Sequence, residues 1–210
     1  MDFSTFLSKI EHYKIAKIGG QNAQFKLAPS QRIRFNFDKI KAKNPRKAAV
    51  LVLFYPNQQN KTTFLLTKRA SYNGTHASQI SFPGGKFETS DINLSTTALR
   101  ESNEEVGINL NEINIFKTMS NVYIPPSNFL VTPFLAYTTK TPKFKTNYEV
   151  ENIIEVTLKN LFNHNLETTT FVTTLYAKNW EVPCYAFNNF TIWGATAMML
   201  SEIKQLLIHA

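Results

Sequence analysis

The sequence predicts an α+β fold, an α/β/α sandwich in which helices flank a mixed β-sheet. Three observations lead there. Apolar runs of strand length recur along the chain, separated by turn-rich segments such as NQQNK and IPPSN. Two segments, 94–106 and from about 193 onward, show instead the 3.6-residue spacing of helices. Across 210 residues no repeat, low-complexity tract or shift in composition divides the chain. At that length this indicates one domain, here 46–210, preceded by a helix and extension over 1–45.

Phe3, Phe6, Leu7 and Ile10 fall at i, i+3, i+4 and i+7, so residues 2–12 predict a short amphipathic helix. A loop-rich segment is expected to follow, up to the basic KIKAKNPRK at 39–47. AAVLVLFYP and TTFLLTKR then form an antiparallel hairpin. Residues 70–81 look irregular and lead through a short strand into FPGGK. In the helix at 94–106, Ala98, Leu99, Ser102 and Val106 share one side, and Gly107 supplies the left-handed residue that stops it. Strands are expected at about 113–122 and 129–138, in EVENIIEV and at 176–187. The final helix carries Trp193, Ala197, Leu200 and Leu207 on a core-facing stripe.

Composition narrows the function. With 43% hydrophobic and 13% aromatic residues the chain is not disordered. Its longest apolar run, at 48–54, is too short to span a bilayer, and the charged N-terminal stretch is not a secretory signal. The lone Cys184 forms no intrachain disulfide and suits a reducing cytoplasm; in WEVPCYAF it reads as a buried strand residue rather than a nucleophile. A net charge of +8 favours anionic partners. The basic 39–47 stretch lacks interleaved aromatics and reads as a solvated linker, so no nucleic-acid or membrane partner is expected, and charge alone does not choose the anionic ligand. A homodimer stays open.

The chemistry concentrates in RESNEEVG, Arg100–Gly107. Glu101, Glu104 and Glu105 stand at i, i+3 and i+4, on one helix face, where like charges repel. Just ahead, Gly84 and Gly85 allow close backbone approach, and Glu88 and Asp91 add carboxylates. Such an all-oxygen set suits a hard divalent cation, whereas the scattered histidines argue against zinc. The alternative is a solvated acidic face paired with Arg100.

The surrounding residues favour the cation. GGKFETSDINLSTTALRESNEEVGI resembles the Nudix box, G-x(5)-E-x(7)-R-E-U-x-E-E-x-G-U with U apolar. Arg100, Glu101, Glu104, Glu105, Gly107 and Ile108 fall on its second half without a gap. In the first half the acidic residue is Asp91 and Arg100 arrives one residue late, as in the coenzyme A branch of the family; Ser102 takes the U position. Upstream, LLTKRASYNGTHASQISFPGG resembles the signature of the coenzyme A pyrophosphatase subfamily at Leu65, Leu66, Thr67, Arg69 and Phe82–Gly85. PPSNFLVTPF and IWGATAMML resemble it too, so the similarity covers most of 48–205. Gly74 and Ser78 depart, standing where that signature has Arg and Gly.

The resemblance implies a Nudix hydrolase that cleaves the pyrophosphate of coenzyme A, or a derivative, with Mg²⁺ or Mn²⁺. It assigns the metal to Glu101, Glu104, Glu105 and the carbonyl of Gly85, and the general base to Glu104, with Glu101 next. Arg69, Gly84 and Lys86 are implied phosphate contacts. Arg100 orients the glutamates and Gly107 ends their helix. Glu149 and Glu151 are outside candidates for the base and are expected to be strand-edge charges; His76 and Gln79 either order the loop or touch substrate. The departures at Gly74 and Ser78 keep open the same reaction on NADH, ADP-ribose or a dinucleoside polyphosphate. A non-catalytic nucleotide-binding module is the rival from another class.

Overall fold

A computed structural model describes residues 1–30, 32, 37–70, 79–174, 177–187 and 189–209. In chain order the elements begin with α1 (Phe3–Ser8), α2 (Ile10–Ile15), α3 (Gly20–Gln24) and α4 (Phe37–Ala42). There follow β1 (Arg46–Pro56), β2 (Thr62–Arg69), β3 (Ile80–Ser81), β4 (Gly84–Lys86) and α5 (Leu94–Val106). Next come β5 (Asn114–Thr118), β6 (Val122–Ile124), β7 (Phe129–Tyr137), β8 (Val150–Thr157) and α6 (Leu158–Phe162). β9 (Glu167–Thr174), β10 (Ala177–Phe187), β11 (Phe190–Trp193) and α7 (Gly194–His209) complete the fold.

The expected hairpin is present, with Phe54 opposite Phe64. β1 is the hub of a mixed sheet that holds eight strands among the described residues. Its first half pairs antiparallel with β4, its last residues pair with β2, and its other edge runs parallel to β7 from Arg46 to Phe54. A strand covered on both faces is apolar at successive positions rather than at alternate ones, which is what AAVLVLF shows. Ala48, Val52 and Phe54 point into one cluster; Ala49, Leu51, Leu53 and Tyr55 point into another. The first cluster is closed by α7, α1 and α2, the second by α5, which makes the sandwich.

Several local expectations are corrected. The predicted N-terminal helix is interrupted at Lys9 (φ −97°, ψ −1°) into α1 and α2, and Phe3, Phe6, Ile10 and Tyr13 of both pieces enter the core. The segment read as loop contains α3 and α4, too short to show a period. The strand at 113–122 is interrupted, and β5 and β6 pair with different stretches of β7. Trp193 ends β11 rather than entering the last helix, which starts at Gly194 with φ of +64°. β9 was not expected at all. Its ETTTFVTT carries mostly polar side chains, and it pairs with β10 in a separate three-stranded sheet, β11–β10–β9. No helix among the described residues is long and apolar enough to cross a membrane.

A buried acid on α7 helps to fasten α3 to it. Glu202, fully buried, accepts from Gly20 N (2.8 Å), Gln24 Nε2 (2.9 Å) and Ser120 Oγ (2.6 Å). Removing this carboxylate strands buried donors. Glu202→Ala should therefore cost about 3 kcal/mol, read as a lower urea midpoint with m nearly unchanged.

Candidate active site

The glutamate helix is well specified locally. Asn93 caps it by accepting from Thr96 N (3.0 Å), and Gly107, at φ +69°, ends it with its N–H on Asn103 O (2.9 Å). Ser102 is buried and spends its hydroxyl on Ala98 O (2.7 Å), which is how a polar residue occupies a core position. Ala98 and Val106 anchor the helix on the sheet, and this turns Glu101 and Glu105 toward β4.

β4 brings its glycines against them. Gly84 N donates to Glu105 Oε2 (3.1 Å), and the Glu101 carboxylate lies over Gly85, where a Cβ would fall. Gly84 takes φ of +151° and presses on the backbone of Ala49 and Val50. Glu105 is only 5% exposed, and burial raises its pKa to about 7 against the pull of the Gly84 N–H and Arg69. Burial also raises Glu101, opposed by Arg100. Glu104 points outward, with 53% of its side chain exposed.

Arg100 organises the opposite flank. Its Nε and Nη2 grip Asp91 (2.9 and 3.0 Å), Nη1 reaches Glu101 (3.1 Å) and Glu104 (3.4 Å), and Nη2 also donates to Lys86 O (3.2 Å). Asp91 accepts from Thr97 Oγ1 and Glu88 N as well, and the Arg100 hydrogen bonds hold its carboxyl far below the usual range. The five acids expected to converge thus separate. Asp91 is committed to Arg100, and Glu88 is exposed. Among the described residues no three His, Cys, Asp or Glu side chains converge as they stand on one point that could hold a metal ion.

Glu101, Glu105, Gly84, Gly85, Lys86 and Arg69 line one cavity of about 900 Å³. Arg69 pairs with Glu149 (2.8 Å) and approaches Glu105 (3.9 Å). Glu149, read from sequence as an edge charge, therefore stands in the cavity; Glu151 does not, and pairs with Lys68 (2.5 Å). Gln79 also lines it, whereas Gly74, His76 and Ser78 lie outside the described residues. Sequence reasoning missed Arg32, Trp180 and Trp193, which line the cavity too. They come from segments distant from the box, and only tertiary packing brings them to it. Cys184 is buried in β10, as expected.

The sequence model of the NUDIX domain matches residues 45–172. The "Uncharacterized Nudix hydrolase NudL" of Yersinia pestis (strain Pestoides F) and that of Yersinia pseudotuberculosis (serotype O:1b, strain IP 31758) are each 30% identical over 165 residues, 76% of this chain and 79% of theirs. The MutT/nudix family protein from Enterococcus faecalis superposes with a TM-score of 0.52, covering 96% of this chain and 74% of that one at 14% identity, a likeness of fold. Together these define a pyrophosphohydrolase. The chain belongs to the Nudix family, whose hydrolases are generally dependent on a divalent metal.

Proposed function

We propose that this chain hydrolyses the pyrophosphate bond of coenzyme A or a coenzyme A derivative, releasing 3′,5′-adenosine bisphosphate and 4′-phosphopantetheine. The observation that carries the reading is the cavity. Buried Glu105, half-buried Glu101 and Glu149, the basic Arg32, Arg69 and Lys86, and two glycines share it with a largely apolar remainder. That suits a substrate with a charged centre and bulky groups on either side.

The donor set fits Mg²⁺ or Mn²⁺. It offers oxygen alone, and Glu101 and Glu105 are carboxylates whose burial disfavours their charge until a cation faces them. Glu101, Glu104, Glu105 and the Gly85 carbonyl would hold the metal. When bound it neutralises the phosphates and lowers the pKa of a coordinated water. Arg69 and Lys86 hold phosphate oxygens, and the Gly84–Gly85 backbone lets them come close. Arg100, fixed by Asp91, sets the directions of Glu101 and Glu104. Glu104 takes the proton of the attacking water, and Glu101 is the next candidate for that role.

Mass-spectrometric product analysis tests this. Wild type with coenzyme A and Mg²⁺ or Mn²⁺ should give the two named products, and Glu104→Gln should lower the rate about 10²- to 10⁴-fold, the range for loss of a positioned proton-transfer group. Exclusive turnover of NADH, ADP-ribose or a dinucleoside polyphosphate would keep the chemistry and reject the substrate. Metal-independent binding without turnover would leave a nucleotide-binding module.

A further inference from the structure

The sequence contains two tryptophans, Trp180 and Trp193, and both line the cavity that holds Glu101 and Glu105. Both are half-buried. β10 and β11 pair with Cys184 opposite Trp193. Trp180, Val182 and Cys184 alternate along β10, so Trp180 and Trp193 stand on the same face of the small sheet. The other face, with Tyr185 and Ile192, packs into the main core. The small sheet is thus one wall of the cavity. Both indoles also lie beyond the matched stretch 45–172.

We infer that Trp180 and Trp193 select the substrate by stacking on its planar heteroaromatic ring, a purine base, away from the pyrophosphate. The inference rests on the pyrophosphatase reading above. Indole is the strongest ring-stacking side chain, and two of them left half open in a concave site leave apolar faces for a ligand to cover. Other lining groups are flat and rigid as well, Pro125, Pro126 and Phe129 among them. Such a surface complements a flat ring better than a flexible chain, which loses more rotamer freedom when held.

Because the chain's tryptophans are both at the site, their emission reports on it directly. Excitation at the indole edge would be followed in wild type, W180F and W193F during titration with 3′,5′-adenosine bisphosphate, with 4′-phosphopantetheine and with ribose 5-phosphate. The bisphosphate should change the emission of both single-tryptophan variants, and the two base-free probes should not. W193A and W180A should each weaken bisphosphate binding about 5- to 150-fold, the span of about 1–3 kcal/mol for one stacked base, and phenylalanine should recover most of it. In turnover, the same variants should lose kcat/KM through KM. A response to phosphopantetheine instead, saturable bisphosphate binding with unchanged emission, or no bisphosphate binding each overturns the inference. Stacking without turnover of any pyrophosphate would overturn the enzymatic reading and leave this one standing.

Discussion

Glu105→Gln should raise the stability of the metal-free protein while lowering hydrolysis about 10³-fold. The two effects share one cause. Burial raises the Glu105 carboxyl to about 7, above its ordinary value of 4.5, and the Gly84 N–H and Arg69 only partly offset it. A folded-state pKa above the unfolded one means that the folded protein binds the extra proton. Stability is therefore fully present below about 4.5, falls as pH rises through the window to about 7, and levels off above it. The full difference corresponds to a loss on the order of 3 kcal/mol. Glutamine keeps the acceptor for Gly84 N and carries no charge, so its melting temperature should hold nearly level between pH 5 and 8 while wild type loses several degrees. Mn²⁺ should stabilise wild type at pH 8 more than the variant, which keeps Glu101 and Glu104 but lacks the buried carboxylate whose charge the ion would offset. A wild-type melting temperature that rises with pH in metal-free buffer would reject the account.

Two neighbouring glycines should fail in opposite ways. At Gly84 a Cβ would strike the Ala49 carbonyl and Val50 Cα, backbone atoms of the central strand, and φ is +151°. Nothing there can yield cheaply, so Gly84→Ala should cost about 3 kcal/mol or more and be visible in thermal unfolding. At Gly85 the Cβ would meet the Glu101 carboxylate, the far end of a flexible side chain. Gly85→Ala should keep its fold and displace the carboxylate, lowering kcat/KM about 10²-fold with a melting temperature near wild type. Calorimetry and kinetics on the pair decide this. Equal unfolding by both substitutions would mean that Gly85 is needed for packing and not for Glu101.

The sequence displayed those parts of the fold and site whose cause is local. The helix carrying Glu101, Glu104 and Glu105 was legible because cap, period and stop all lie within 93–107. The hairpin was legible from its two apolar runs and the turn between them. Glu149 was not, because its place opposite Arg69 depends on β2 meeting β8 in a register that starts from Thr63 and Thr157. Asp91 reads from its spacing as one of the converging acids, yet Arg100 claims it, a geometry that sequence spacing does not distinguish from convergence. β9 escaped because TTTFVTT has no buried face of its own to reveal. Trp193 was assigned to a helical stripe, since one residue before a helix and the first residue within it look alike without the backbone.

The Glu202 junction joins positions 182 and 178 residues apart in the chain, Gly20 and Gln24 on one side and α7 on the other. Closing such a loop is entropically late, and proteins dominated by distant contacts fold slowly. During synthesis the mixed sheet and α5 emerge first, so one sheet face can be covered at once. The other face, with Val52, Phe54, Leu66 and Leu135, is covered in part by α1 and α2, and α7 completes its cover. Until that helix has left the ribosome, the part of this face that α1 and α2 leave bare stays open to water and to other nascent chains. This order of events makes α7 the rate-setting piece of maturation and the region where a stalled or truncated product would aggregate.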